Sequence, residues 1–428
     1  MSDAATRDVT PPLPTLLVAA ALALGSAVSL GLARFSYALL LPPMRADLGW
    51  SYFVAGAMNT VNAAGYLVGA LAVPRVLRRA GARALFLAGI AVTVVALLGH
   101  GLVVDDPTLY VLRFVTGIAS AATFVSGGLL AARLIASPAA ATLRPRPGAS
   151  SQRDDDAPGA ASRSPVSAGL VLGIYYGGTG VGIVVSALLV PALAERAVAH
   201  AWQGAWIGLA ASAAVAMAVA ALATHGRAAA PPAAPLGAGD RFRWRGFAPA
   251  LAAYFLFGVG YIGYMTFVIS LLREERLAGA VVVAFFVMLG AAVVASSWLW
   301  AWLLQRSRGG GALALLNALV AIATVLPVLS VAPLAVFASG LLFGAVFLSL
   351  VASTTSLVRH NLAPAAWPAG IAAFTIVFAA GQIVGPSAVG AVADHFGGLR
   401  AGFACSAAVL AFAALVAWRQ RPLAPLPA

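Results

Sequence analysis

Residues 15–41 read TLLVAAALALGSAVSLGLARFSYALLL, an apolar run that carries one charged residue, Arg34. A bilayer core about 30 Å thick is crossed by about 20 apolar residues in a helix, so this run can span it. Eleven similar runs follow along the 428 residues, without the alternation that marks membrane strands. The pattern predicts an all-α integral membrane protein of twelve transmembrane helices, because helices satisfy their own backbone hydrogen bonds in lipid.

The composition agrees with a membrane protein and argues against other classes. The chain is 62% hydrophobic and 9% charged, whereas a soluble domain carries about 25% charged residues. All 26 basic residues are arginine, and they lie mainly in short segments between apolar runs, which indicates membrane topology and not nucleic-acid binding. Since Cys405 is the only cysteine, the chain offers no internal disulfide or cysteine metal site. We predict neither a cofactor nor a bound metal.

The predicted helices form two sets of six on either side of a Pro/Ala/Gly-rich stretch at 228–239. The first set lies at 15–41, 53–73, 84–104, 109–134, 166–193 and 201–224. The second set lies at 247–272, 278–304, 312–330, 333–358, 366–392 and 399–418. We therefore predict an N-terminal half at 1–224, a cytoplasmic linker at 225–246 and a C-terminal half at 247–428. A low-complexity loop at 137–165 is predicted to be disordered.

The distribution of arginine predicts the orientation of the chain. If the N-terminus is cytoplasmic, nineteen arginines fall in cytoplasmic segments. Five fall on the other side, namely Arg45, Arg196, Arg273, Arg276 and Arg400. This excess follows the positive-inside rule. It places the protein in the cytoplasmic (inner) membrane as a multi-pass protein with both termini in the cytoplasm.

Charged groups inside a bilayer are costly and therefore indicate function. Arg34 lies about 12 Å short of Pro42 along the helix, at about 1.5 Å per residue. A guanidinium suits the geometry of a carboxylate or phosphate, so Arg34 is a candidate to capture an anionic or hydroxyl-rich solute. The alternative is that Arg34 bonds backbone carbonyls or extends to the headgroups. Arg113 is nearer the end of its helix, which favours a structural or gating role.

Polar side chains on three other predicted helices extend the candidate site. Asn59, Asn62 and Tyr66 share one helical face, where they suit either a bound solute or bonds between helices. The trio of Gly31, Arg34 and Tyr37 recurs in spacing as Gly258, Tyr261 and Tyr264. The predicted substrate-binding residues are Arg34, Tyr37, Asn59, Asn62, Tyr66, Tyr261, Tyr264 and Gln382. The predicted gating or structural residues are Arg113, Gly117, Gly177, Gly180, Gly182, Gly381, Gly385 and Pro386.

Two short motifs stand out: Arg113 is followed four residues later by Gly117, and a glycine run lies at 173–182. The first resembles the Arg-x-x-x-Gly pattern in the fourth helix of the major facilitator superfamily. The second resembles the motif of its antiporter branches, without the proline of that motif. The loop motif after Gly69 departs from the family, because Val73 stands where an acidic residue is usual. GLARFSY at 31–37 and GQIVGP at 381–386 resemble the YbfB/YjiJ-type branch. The resemblance covers the chain outside the fourth-to-fifth loop.

This resemblance implies a monomeric secondary transporter in which the two halves rock about a central site. The partners would be a small-molecule solute and the lipid bilayer, with export favoured by the likeness to antiporters. Since no Asp or Glu falls inside the predicted spans, coupling to protons would use a rim acid such as Asp47 or Asp394, a histidine or the solute itself. Facilitated diffusion stays open. The other function classes are a non-transporting receptor on the same fold and a membrane enzyme, although the chain lacks His-Glu-x-x-His and Gly-x-Ser-x-Gly.

Overall fold

The computed structural model describes residues 14–135, 168–196, 198–225, 244–363 and 366–423. Within these ranges it contains twelve helices long and apolar enough to cross a membrane, and no strand. The helices are α1 Thr15–Leu48, α2 Tyr52–Ala80, α3 Ala82–His100, α4 Asp106–Ile135, α5 Ala168–Ala194, α6 Ala201–Ala223, α7 Ala248–Glu274, α8 Gly279–Arg306, α9 Gly311–Leu329, α10 Pro333–Asn361, α11 Trp367–His395 and α12 Gly398–Trp418. The predicted fold class is confirmed. The loop at 137–165 and most of the linker at 225–246 lie outside the described residues.

Helix α1 changes its winding in the middle of the bundle. It is α-helical at Thr15–Ser26, π-helical at Ala27–Phe35 and α-helical again at Tyr37–Leu48. The π segment lies against α5, where a Cβ added to Gly31 would stand 2.5 Å from the Cα of Gly182. π turns are rare and occur frequently at functional sites. Arg34 lies in the last turn of this segment.

The most extensive packing between the first six helices and the last six is that of α2 against α11 and of α5 against α8. Between α2 and α11, the hydroxyl of Thr60 donates to the carbonyl of Ile383 at 2.7 Å and lies 2.8 Å from Ser387 Oγ. Between α5 and α8, a Cβ added to Gly290 would stand 2.9 Å from the carbonyl oxygen of Gly180. Such small residues let neighbouring backbones approach closely and slide.

The two ends of the bundle carry opposite charge. All seven acidic residues in the described ranges lie where α1, α3, α5, α7 and α11 end and the next helices begin. We call this the acidic end. The other end, called the arginine-rich end, carries Arg75, Arg78, Arg79, Arg83, Arg133, Arg245, Arg306, Arg308, Arg359, Arg419 and Arg421.

The prediction that every acid lies outside the helices is wrong for four residues. Asp47, Asp106, Glu274 and Asp394 belong to the terminal turns of α1, α4, α7 and α11. The helices are longer than the apolar runs that identified them, because a helix can continue into the polar layer beside the bilayer core. These carboxylates nevertheless remain at the acidic end, and Asp47, the one on the same helix as Arg34, is about 20 Å from it along the helix axis at about 1.5 Å per residue.

Candidate functional site

Arg34 is a buried cation without a carboxylate partner. Its side chain is 3% exposed, and its Nη2 donates a hydrogen bond to Oε1 of Gln382 at 3.1 Å. Its Nε has no hydrogen-bond partner, and the three ion pairs among the described residues all involve other side chains. A buried charge left unpaired is costly. Arg34 therefore keeps hydrogen-bond donors free for a further acceptor.

Three further side chains meet Arg34 in the middle of the bundle. Gln382 on α11 donates from Nε2 to the hydroxyl of Tyr261 on α7. The Arg34 guanidinium lies over the ring of Tyr66 on α2, 5.7 Å from its centroid. We call Arg34, Tyr66, Tyr261 and Gln382 the Arg34 cluster. It gathers four predicted substrate-binding residues from four helices, two in each set of six.

The structure gives the other predicted substrate-binding residues protein partners elsewhere. These residues are Tyr37, Asn59, Asn62 and Tyr264. The hydroxyl of Tyr37 donates to the carbonyl of Ala55 at 2.9 Å, while the hydroxyl of Tyr264 lies 2.7 Å from Ser339 Oγ. Both tyrosines are fully buried. They brace α1 against α2 and α7 against α10.

Arg113 is the second buried arginine, and each of its three guanidinium nitrogens donates to an acceptor. It is 1% exposed; Nη1 donates to the carbonyl of Ala33 at 2.9 Å and Nη2 donates to Oδ1 of Asn59 at 2.6 Å. The amide of Asn59 in turn donates to Thr266 Oγ1 at 2.8 Å on α7, and the amide of Asn62 donates to the Arg113 carbonyl at 3.0 Å. Arg113 and the two asparagines therefore tie α1, α2, α4 and α7 together.

The predicted gating or structural glycines lie at helix crossings. Gly117 packs against α2, Gly182 against α1, Gly177 and Gly180 against α8, and Gly381 and Gly385 against α7, while the carbonyl of Pro386 lies against Gly56. At each crossing except that of Gly177 with α8, an added Cβ would collide with backbone atoms of the neighbouring helix. Small residues at these points set how closely the helices pack around the Arg34 cluster.

A stack of aromatic rings runs from Tyr261 toward the arginine-rich end. The Tyr261 ring lies within 22° of parallel to Phe257, Phe347 and Phe378, with centroids 4.7 to 6.0 Å away. Tyr254 extends the stack, 4.7 Å from Phe378. Four of these rings are at most 2% exposed, whereas Phe378 is partly exposed.

Sequence reasoning missed the three phenylalanines of this stack. Tyr254, Phe257 and Tyr261 recur at helical spacing on α7, which places their rings on one face. That spacing is equally typical of a buried core, and the partners Phe347 and Phe378 come from α10 and α11. The rings are assigned to the site only when three helices are seen together.

Partly exposed side chains mark an approach to Arg34 from the arginine-rich end. Tyr176 on α5 is 38% exposed and lies within electrostatic range of Arg359 at the end of α10. Tyr66 is partly exposed and lies within electrostatic range of both Tyr176 and Arg34. Arg359, Tyr176, Tyr66 and Arg34 therefore follow one another from the arginine-rich end to the middle of the bundle.

The acidic end is closed by contacts between α2 and α11. The carboxylate of Asp394 accepts from the backbone N–H of Tyr52 at 2.9 Å and of Phe53 at 2.8 Å. A carboxylate is well placed at a helix N-terminus, where free backbone donors and the helix dipole favour negative charge. Since Asp394 belongs to α11 and the N–H groups belong to α2, this cap joins the two sets of helices.

Charge along the approach favours an anion. Within the described ranges, Arg359 and the other arginines of the arginine-rich end lie on the same side of the bundle as this approach, and the acids are confined to the opposite end. A cleft lined by one sign of charge raises the local concentration of the opposite ion. Among the same residues no group of His, Cys, Asp and Glu could hold a metal ion.

The twelve membrane-spanning helices and a matching family model identify the protein as a secondary transporter of the major facilitator superfamily. The chain belongs to the family described as uncharacterised MFS-type transporter YbfB, whose model matches residues 26–145 and 160–418. The predicted resemblance is thereby confirmed, and the family is one of transporters and not of enzymes.

Solved structures of transporters share this fold. A mutant of the nucleoside transporter NupG superposes with a TM-score of 0.69 at 13% sequence identity, covering 94% of this chain and 100% of that chain. A bacterial homologue of the human lysosomal transporter Spinster, in an inward-facing and unoccupied conformation, gives a TM-score of 0.69 at 14% identity, with 95% and 97% covered. A search of curated protein sequences finds no match.

Proposed function

We propose that the protein carries a small organic anion across the cytoplasmic membrane by alternating access, with Arg34 as the anion-binding residue. The observation that supports this most is the unpaired Nε of a guanidinium that is 3% exposed. Gln382 holds one edge of that guanidinium, so an incoming carboxylate meets a fixed donor at low cost in side-chain entropy. Tyr66 and Tyr261 complete the proposed contact set.

The transport cycle that we propose is a rocking of α1–α6 against α7–α12. The Asp394 cap closes the acidic end, and Tyr176 and Arg359 mark an approach from the other end. Opening the acidic end would separate α2 from α11 and close the arginine-rich end over Tyr176. Arg113, Asn59 and the buried tyrosines Tyr37 and Tyr264 keep the helices around the site in register during this motion.

The proposed direction is export by a monomer with both termini in the cytoplasm. The excess of arginine at one end supports that orientation. An approach from the arginine-rich end then receives solutes from the cytoplasm, and the antiporter-like glycine run in α5 supports the same direction. Proton coupling would depend on Asp47 or Asp394 at the acidic end or on the solute itself, because the Arg34 cluster contains no acid.

The experiment that tests this function is flux into proteoliposomes that contain the purified protein. The probes are radiolabelled benzoate, lactate, succinate and glucose. We expect uptake of at least one of the three acids, and we expect Arg34→Gln to lower its rate by roughly tenfold or more, the worth of a charge-assisted hydrogen bond. Arg196→Gln, which removes an exposed arginine at the acidic end, is the matched control and should transport normally.

Each other outcome has a definite meaning. Uptake of an acid at the same rate by wild type and Arg34→Gln would remove Arg34 from the mechanism. Uptake of glucose alone would overturn the anionic class. Binding of an acid without flux would instead identify a receptor on a transporter fold.

A further inference from the structure

The walls of the Arg34 cluster are aromatic on both sides. Tyr66 on α2 lies under the guanidinium, and Tyr261 on α7 is bonded to the amide that holds it. Behind Tyr261 the rings of Phe257 and Phe378 lie nearly parallel to it, at interplanar angles of 22° and 17°. The cluster therefore combines the unpaired Nε of Arg34 with the faces of neighbouring aromatic rings.

Resting on the proposed function, we infer that the solute is an aromatic monocarboxylate. Its carboxylate would pair with the free Nε of Arg34. Its ring would pack on Phe378 and Tyr66, the two rings of this region that remain partly exposed. The hydroxyl of Tyr66 has no hydrogen-bond partner among the described residues, so it can donate to the bound carboxylate.

A single negative charge follows from the number of free cations at the site. Arg34 is the single cation of the cluster and its Nε is unpaired, whereas each guanidinium nitrogen of Arg113, the other buried arginine, donates to an acceptor on Met58, Ala33 or Asn59. A second carboxylate on the solute would be buried without a partner, which is costly. The site should therefore reject dicarboxylates.

An aromatic ring follows from the geometry of the stack. Aromatic pairs prefer offset, near-parallel arrangements and are worth more than the area that they bury. Phe378 already pairs in this way with Tyr254, Phe257 and Tyr261, so a planar ring laid on it continues the same order. Stacking of this kind should improve affinity roughly three- to tenfold over a saturated ring of similar size.

The test measures binding by calorimetry to the purified full-length protein in detergent. The aromatic probes are benzoate and 2-naphthoate; the comparison compounds are cyclohexanecarboxylate, benzamide and terephthalate. We expect cyclohexanecarboxylate to bind roughly three- to tenfold more weakly than benzoate. Benzamide has no negative charge, and terephthalate has a second carboxylate. Both should therefore bind at least about tenfold more weakly than benzoate.

Two variants separate the ring contact from the charge contact. Phe378→Leu should keep the binding of cyclohexanecarboxylate and reduce that of benzoate to the same level. Phe412→Leu, which changes an exposed phenylalanine on α12, is the matched control and should bind as wild type does. Arg34→Gln should lose both acids.

The outcomes distinguish this inference from the proposed function. Equal affinity for benzoate and cyclohexanecarboxylate in the wild type overturns the aromatic class but leaves an organic-anion transporter. Terephthalate binding as tightly as benzoate overturns the single charge. If no aromatic probe binds while lactate or succinate is transported through Arg34, the inference fails and the function stands. If benzamide matches benzoate and Arg34→Gln changes nothing, both fail.

Discussion

Arg34 and Arg113 show how one residue type takes two roles inside a membrane bundle. Both are at most 3% exposed, so burial does not distinguish them. Each guanidinium nitrogen of Arg113 donates to an acceptor on Ala33, Asn59 or Met58. Arg34 donates from Nη2 to Gln382, and its Nε has no hydrogen-bond partner. Arg113, whose guanidinium nitrogens all have acceptors, stabilises the fold. The unpaired donors of Arg34 are the basis of the anion site proposed above.

This difference in hydrogen bonding predicts that replacing Arg113 destabilises the protein more than replacing Arg34 does. Arg113→Gln should lower the free energy of unfolding by about 2 kcal/mol, because it leaves the carbonyl of Ala33 and the side-chain oxygen Oδ1 of Asn59 without this donor. Arg34→Gln should stay within about 1 kcal/mol of wild type, because removing an unpaired buried charge also removes its desolvation cost. Thermal unfolding in detergent without ligand compares the two. A melting temperature for Arg34→Gln as low as that for Arg113→Gln would contradict this distinction.

The sequence predicted some of the site at this scale and left the rest open for a physical reason. Arg34 and Gln382 stand out because polar groups in an apolar run are energetically costly. Asn59 stands out equally, yet an amide that bonds a neighbouring helix leaves the same signature in the sequence as one that bonds a solute. Which partner it takes depends on how helices from both sets cross, and no local pattern contains that information.

At the scale of elements, α1 and α7 occupy equivalent positions in the two sets of helices. Gly31 on α1 meets Gly182 on α5, and Gly258 on α7 meets Gly381 on α11 in the same manner. Three residues after each first glycine, Arg34 and Tyr261 both bond to Gln382. The shared spacing seen in the sequence therefore corresponds to shared packing, as expected for a transporter built from repeats.

Glycine at these two crossings should be essential for packing. In Gly31→Ala the Cβ would stand 2.5 Å from the Cα of Gly182, and in Gly258→Ala it would stand 2.6 Å from the carbonyl of Phe378. Because backbone cannot move as a flexible side chain can, we expect each change to cost about 1–3 kcal/mol of stability. Thermal unfolding measures this cost. Gly204→Ala is the control, because a Cβ there meets nothing within 4 Å, and it should not destabilise the protein.

The helix count and spans were accessible from hydropathy, but the winding of α1 was not. A run of twenty or more apolar residues predicts a helix whatever its hydrogen-bond register. The π segment at Ala27–Phe35 forms where α1 presses on α5 at Gly31 and Gly182. Its cause lies in a contact between helices, which a single stretch of sequence does not reveal.

For the whole molecule, the Asp394 cap is a contact between the two sets of helices at the acidic end. Its two bonds to the start of α2 must break when the two sets of helices separate there. In a second cap, the backbone N–H of Val54 donates to Ser51 Oγ at 3.2 Å. This bond lies within one set of helices, so it can persist when the two sets separate. The two caps therefore differ in whether they oppose opening.

We expect Asp394→Asn to shift the population toward the state open at the acidic end by roughly tenfold, since hydrogen bonds to a charged group contribute about 1.5 kcal/mol or more. The readout is the rate of maleimide labelling of Ser387→Cys, which lies between α2 and α11. The exposed Cys405 is first changed to serine. Labelling by a membrane-impermeant reagent should accelerate in the Asp394→Asn background.

The matched control for that experiment is Ser51→Ala. It removes the cap within α2 and should lower stability by about 1 kcal/mol without changing the labelling rate. Faster labelling in Ser51→Ala, or an unchanged rate in Asp394→Asn, would show that closure does not depend on the bond across the two sets of helices.

The absence of an acid from the Arg34 cluster has an energetic consequence. A cell interior that is negative by 100 mV raises the free energy of each negative elementary charge inside it by about 2.3 kcal/mol. A monoanion leaving the cytoplasm with no accompanying proton therefore gains that energy, enough to sustain roughly a 50-fold concentration ratio at equilibrium. Export as proposed above would draw on the membrane voltage directly, and a buried proton-carrying carboxylate would be unnecessary for it.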